Sequence, residues 1–244
     1  MRISLKDAVG DFFETPEKWM TLLFLSLCQF IPLVGPVVMI GYFTRRFALT
    51  RSGSEAPDFK FDDFGDYLQI GLWPALAYFA MALFAMPLIL LAELPVLMVM
   101  INLEPEPASF APIISAMALS YGLIILISLL LMFLGAPVVL RSSLMKRFQS
   151  GFSMSFIFDF LKKVGMSFFF WMVILWVISM VASVAGMLAF FVGSILVSTL
   201  AMYAGFHLLY QHYELYLERG GQIIEVHPEV LRNVTGHPPL PVVK

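Results

Sequence analysis

The chain has 244 residues, 60% of them hydrophobic and only 13% charged, with a mean hydropathy of +0.87. Soluble domains carry about 25% charged residues, so a water-soluble globule is excluded, and a net charge of −2 excludes a broadly basic nucleic-acid binder. The fifteen Lys and Arg fall in four patches, Arg2 to Lys18, Arg45 to Lys60, Arg141 to Lys163 and Arg219 to Lys244. The long gaps between the later patches are filled with Leu, Ile, Val, Phe, Met and Ala, as helices crossing a bilayer require.

Ile3, Leu5, Ala8, Val9, Phe12 and Phe13 recur near helical spacing between charged residues, which predicts a short amphipathic helix at the membrane surface or against another segment. Acidic residues follow Arg2 and Lys6, and no small-residue cleavage site closes the first apolar run. The first membrane helix is therefore expected to be retained.

Trp19 to Tyr42 is the first membrane segment, broken by Pro32, Gly35 and Pro36. It reads either as one kinked span or as a re-entrant hairpin with arms Trp19 to Ile31 and Val37 to Phe47. An arm of thirteen residues reaches only about 20 Å against a hydrocarbon core of about 30 Å. A single span would place Arg2, Lys6 and Lys18 opposite Arg45, Arg46 and Arg51, so the positive-inside rule favours the hairpin.

Residues 48–67 read as a polar cytoplasmic linker whose alternating Phe and Asp rest at the interface. The apolar run from Leu68 to Leu103 is too long for one upright span, and is expected to cross until about Leu91 before Glu93-Leu94-Pro95 opens a second piece. Glu104 to Pro107 form an acidic loop on the far side. Ala111 to Leu140 return to Arg141, Lys146 and Arg147, and Ser150 to Lys163 form a further amphipathic piece. Residues 166–185 then cross outward, turn between Gly186 and about Gly193, and return by Tyr210 to a cytoplasmic tail ending in Pro238, Pro239 and Pro241.

The organisation is a surface helix over 1–18, one transmembrane domain over 19–212 and a tail over 213–244. Gly35-Pro36-Val37-Val38 is echoed by Gly135-Ala136-Pro137-Val138-Val139, and Phe61-Asp62-Asp63-Phe64 by Phe158-Asp159-Phe160, which suggests a parallel repeat of 19–103 and 111–212.

The chemistry is sparse. Glu93 is the candidate functional acid, although its position at the outer boundary lets solvent carry its charge. His207 and His212 fall on different helix faces and make a poor metal pair, while the sixteen Met form no cluster with His or Cys. Ala182 and Gly186, Ala189 and Gly193, Ser194 and Ser198, and Ala201 and Gly205 are small pairs four apart that let helices approach closely. Arg45, Arg46, Lys146 and Arg147 are candidates for lipid headgroup contact as well as topology determinants. Cys28 stands alone, so no internal disulfide forms. No phosphate loop, catalytic carboxylate pair, nucleophile elbow or zinc spacing occurs, so no cofactor, metal or enzymatic activity is expected.

From Trp19 to Trp73, Ile31-Pro32-Leu33-Val34-Gly35-Pro36, Gly41-Tyr42, Arg45-Arg46, Phe61-Asp62-Asp63-Phe64-Gly65 and Gly71-Leu72 resemble a widespread prokaryotic family of multi-pass membrane proteins of unknown function. The acid that precedes Gly-Leu in that pattern is Ile70 here. The resemblance implies an all-helical integral membrane fold and supplies no catalytic residues.

The expected architecture is therefore all-α: a Pro-broken N-terminal hairpin or kinked helix, four transmembrane helices and cytoplasmic amphipathic helices in a prokaryotic inner membrane, with both termini inside. The expected role is non-enzymatic, as an accessory subunit or a membrane-shaping protein whose partners are lipids and other membrane subunits or itself, not nucleic acid. A small transporter or lipid-handling permease is the alternative.

Overall fold

The computed structural model describes residues 3–10, 13, 16–54, 57–102, 110–188 and 192–232, and all regular structure among them is helical. The helices are α1 (Leu5–Gly10), α2 (Pro16–Cys28), α3 (Val34–Arg51), α4 (Phe64–Ala92), α5 (Leu94–Asn102), α6 (Ala111–Met145), α7 (Phe148–Gly151), α8 (Met154–Phe160), α9 (Met166–Met187) and α10 (Val192–Glu218). A 3-10 turn, Phe61–Asp63, leads into α4, and a π turn, Leu161–Gly165, joins α8 to α9. Among the described residues, four runs are long and apolar enough to cross a membrane: Phe61–Asn102, Ala111–Met145, Met154–Met187 and Val192–Glu218. The acidic loop Glu104 to Pro107, Ala189 and the terminal prolines lie outside the described residues.

Two compact units divide the chain, Met1–Ala77 with Pro137–Lys244, and Tyr78–Ala136. In the second unit Phe79, Leu83, Phe84 and Leu90 face outward, a surface that water would not tolerate and lipid does. There Gly135 leaves room for the Tyr78 ring, which lies 3.4 Å from where a Cβ would stand. α4 stops at Ala92, Glu93 sits exposed in the turn, and α5 starts at Leu94.

In the first unit α10 is the central post, packed by α1, α2, α3 and α9. Its aromatic face meets α3: Phe43 and Phe47 each lie 5.3 Å from Tyr203, and Phe47 stacks 5.0 Å from Tyr210. Ile3, Leu5 and Val9 rest on Leu175, Ala204 and Leu208, so α1 covers α9 and α10 with its apolar side chains. The Ser4 N–H donates to Gln211 Oε1 at 3.0 Å and the Gln211 amide returns a bond to the Ser4 carbonyl at 3.2 Å, which fixes that seating.

Residues 29–33 interrupt the first apolar segment, since Pro32 and Pro36 cannot donate to a continuous helix ladder. Leu33, at φ 64 and ψ −45, is the centre of a γ-turn closed by the Val34 N–H to the Pro32 carbonyl at 2.7 Å, a strained positive-φ conformation for a residue with a side chain. The two flanking helices lie back along each other. A Cβ on Gly35 would overlap the Cys28 carbonyl at the turn. Toward the other end the Phe59 N–H donates to Thr21 Oγ1 at 3.3 Å, and the Phe59 ring sits 5.6 Å from Tyr42. Buried polar groups tie this helix pair to α10: Gln29 Nε2 donates to Thr199 Oγ1 at 2.6 Å, and Ser26 Oγ lies 2.9 Å from the same oxygen.

The segment expected to rest with its Phe side down at the interface instead splits its aromatics. Phe59 is buried and stacks 5.4 Å from Tyr67, while Phe61 remains half-exposed beside Phe24. An intramolecular aromatic pocket between α3 and α4 gives Phe59 more contact than the interface would.

Candidate functional site

α3 and the start of α4 cross at Gly41 and Gly71. A Cβ on Gly41 would overlap the Tyr67 carbonyl oxygen, and one on Gly71 the carbonyl oxygen of Val37. This backbone approach carries Arg45, one turn beyond Gly41, to Asp66, Gln69 and Ile70 on α4. Lys146 arrives from the end of α6. Its φ of 50 closes that helix, and the Arg147 N–H reaches back to the Ser142 carbonyl at 3.3 Å. Glycine is the usual residue at such a left-handed cap, and a side chain there costs about 1–2 kcal/mol. The tail supplies the remaining wall. The His227 N–H donates to the Leu144 carbonyl at 2.8 Å and Val230 is fully buried, which holds Glu229 and Arg232 over the same space.

Arg45, Asp66, Gln69, Ile70, Lys146, Glu229 and Arg232 thus line a half-open cavity of about 200 Å³. Three cations face two carboxylates across it. Arg45 is 2% exposed, and its Nη2 donates to Asp66 Oδ2 at 3.2 Å while the guanidinium lies 5.4 Å from the Tyr67 ring centre. Its Nε and Nη1 are buried and meet no acceptor. Arginine carries five N–H donors in a rigid plane, so this cation is only partly satisfied by the protein. Lys146 pairs with Glu229 and lies 3.5 Å from Gln69 Oε1. Burial lowers the Lys146 pKa from its ordinary value, Asp66 opposes that shift and Arg45 adds to it.

The four basic residues expected at headgroups therefore separate. Arg45 and Lys146 share the cavity. Arg46 is buried, with Nη1 donating to Tyr42 Oη at 3.0 Å and to the Pro57 carbonyl at 3.2 Å, and it staples the loop after α3. Arg147 is exposed. Of the small residues, a Cβ on Gly186 would overlap the Gly193 backbone, and one on Gly205 would lie 3.7 and 3.8 Å from the Leu175 and Met172 side chains. Those contacts lie within the chain, whereas Ser198 is exposed. His212 is fully buried, its Nδ1–H donating to the Leu208 carbonyl at 2.7 Å with Ser167 Oγ 3.2 Å from Nε2. His207 packs 5.2 Å from Phe47. Among the described residues no group of three His, Cys, Asp or Glu is placed to hold a metal ion.

Sequence reasoning missed Asp66, Gln69, Glu229 and Arg232. The apolar residues Ile223, Ile224, Val226, Val230 and Leu231 in the tail were the available signal, and of these Ile224 and Val230 are buried. It also missed a lock at the end of α10. Tyr216 Oη donates to Asp159 Oδ2 at 2.7 Å, Lys163 Nζ reaches the same carboxylate oxygen at 2.9 Å, and the Gln222 N–H donates to Tyr216 Oη at 2.9 Å.

A family model described as a protein of unknown function (DUF4013) matches residues 24–203. No curated protein and no solved structure is detectably similar to the chain.

Proposed function

The chain belongs to the DUF4013 family of proteins of unknown function, and from that premise we propose that it is a non-enzymatic integral membrane protein that shapes the bilayer or serves as an accessory subunit within it. The observation that carries this reading is the helix–break–helix unit of α2 and α3. α2, at thirteen residues, reaches only about 20 Å. The break exposes Phe30, Ile31 and Leu33, the last at 85%. A short pair of helices with an apolar tip fits one leaflet better than two, and unequal occupation of the leaflets favours curvature.

The charge pattern supports an inside location for both ends of this unit. Lys18 lies near the start of α2, and Arg45, Arg46 and Arg51 toward the end of α3. The positive-inside rule puts all of them on the cytoplasmic side of a prokaryotic inner membrane, with both termini there. Lipids are the first partners of this surface, and other membrane subunits or a second copy are the next.

The test is reconstitution of the full chain into liposomes, with co-purification in mild detergent run alongside. Tubulated or smaller vesicles, weakened when Phe30, Ile31 and Leu33 are changed to Ser, support membrane shaping. A stoichiometric partner supports the accessory role. Unchanged liposomes together with a lone chain overturn both. A small transporter or lipid-handling permease is the second reading, favoured by the polar cavity at Arg45; solute flux or lipid exchange in the same liposomes would promote it.

A further inference from the structure

The cavity at Arg45 has a chemistry that the bilayer-shaping role does not use. Arg45 is nearly inaccessible to solvent, and two of its donor nitrogens have no acceptor. Buried donors without partners are costly, and the planar guanidinium pairs an oxyanion bidentately once a small side-chain shift uncovers those nitrogens to the cavity. Lys146 adds a second argument. It occupies a left-handed helix cap that glycine would fill with less strain, and its ammonium faces the same space. A lysine here carries a backbone cost while it places its charge on the cavity wall.

We propose that the cavity walled by Arg45, Lys146 and Arg232 binds a phosphate dianion, as free phosphate or as a phosphomonoester headgroup, which displaces Glu229 from Lys146. The charge count supports a dianion. With Glu229 swung away, Asp66 is the one carboxylate left against three cations, and two positive charges remain to be met. The volume suits it, since about 200 Å³ holds a tetrahedral oxyanion and several waters at about 30 Å³ each. Glu229 serves as the internal occupant. Its side chain is 52% exposed, and it belongs to a tail segment held by the His227–Leu144 bond and by Val230. Ligand entry therefore loosens the contact of this carboxylate while the tail stays anchored. The inference stands independently of the bilayer-shaping reading.

The test follows thermal unfolding of the full chain in mild detergent with inorganic phosphate, against chloride at equal ionic strength. In parallel it uses nanodiscs of phosphatidylcholine with and without phosphatidic acid. The expected result is a rise in Tm with at least one of the two probes. A rise with inorganic phosphate identifies the free anion as the source, and a rise with phosphatidic acid alone identifies the headgroup. Lys146→Gly is the decisive variant because it removes the ammonium and relieves the backbone together. It is expected to unfold near the wild-type temperature without ligand and to lose the ligand-dependent rise. Glu229→Gln is expected to tighten binding at least threefold, and Arg45→Gln to weaken it at least tenfold. No rise with either probe, a rise that survives in Lys146→Gly, or weaker binding in Glu229→Gln would overturn the proposal.

Discussion

Gly41 and Gly71 face each other where α3 crosses α4, each with a backbone carbonyl oxygen where its own Cβ would stand. No rotamer change relieves that overlap, because the obstructing atoms are main chain. Gly41→Val or Gly71→Val must push the helices apart and uncouple Arg45 from Asp66. Overpacking a core costs about 1–3 kcal/mol, and a backbone obstruction lies at or above the upper end. Thermal unfolding in detergent should show a large fall in Tm for both variants. Gly65→Ala is the control, since nothing lies within 4 Å of its added methyl, and it should leave Tm unchanged or slightly raised. Equal Tm values for Gly41→Val and Gly65→Ala would refute the crossing.

The Tyr216 hydroxyl joins α10, α8 and the tail through Asp159 and the Gln222 N–H. Tyr216→Phe keeps the ring contacts with Phe156 and Phe160 and removes only those bonds. A buried hydrogen bond to a carboxylate is worth about 1.5–3 kcal/mol, reduced here by the partial exposure of Asp159. The variant should lose about 1–2 kcal/mol of stability and become more open to proteolysis after Arg219. Unaltered cleavage at Arg219 would mean that the tail is held by Ile224 and Val230 instead.

The contact of Gln29 with Thr199 fixes the α2–α3 turn to α10 through a side-chain pair. Interhelical hydrogen bonds of this kind average about 0.6 kcal/mol within membranes and reach about 1.7. A double-mutant cycle with Gln29→Ala and Thr199→Val should therefore return a coupling of about 1 kcal/mol. A coupling near zero would leave apolar packing as the attachment of the turn.

The four long apolar helices were legible because a bilayer imposes its demand on composition itself, through long runs free of Lys and Arg. Pro32 and Pro36 marked the interruption, and Glu93 the end of α4, through local backbone chemistry that sequence displays directly. Gly186 and Gly205 were visible in sequence only as small residues, and what each meets, Gly193 for one and the Leu175 and Met172 side chains for the other, was not. The polar cavity was hidden for the same reason. Arg45 and Lys146 were visible as basic residues at helix ends, and nothing local separated Arg45 from Arg46, which turns inward to Pro57. Asp66, Glu229 and Arg232 reach the cavity through the α3–α4 crossing and the returning tail, both long-range events.

The one-leaflet reading of α2 and α3 requires the pair to enter and leave the membrane on one side. Cysteine accessibility in sealed membranes tests it directly, with Lys18→Cys, Leu33→Cys and Ser54→Cys each placed in a Cys28→Ser background. An impermeant maleimide should label Lys18→Cys and Ser54→Cys from the same face, and Leu33→Cys from neither. Labelling of Lys18→Cys and Ser54→Cys from opposite faces would make the segment a single kinked span and rule out the one-sided pair.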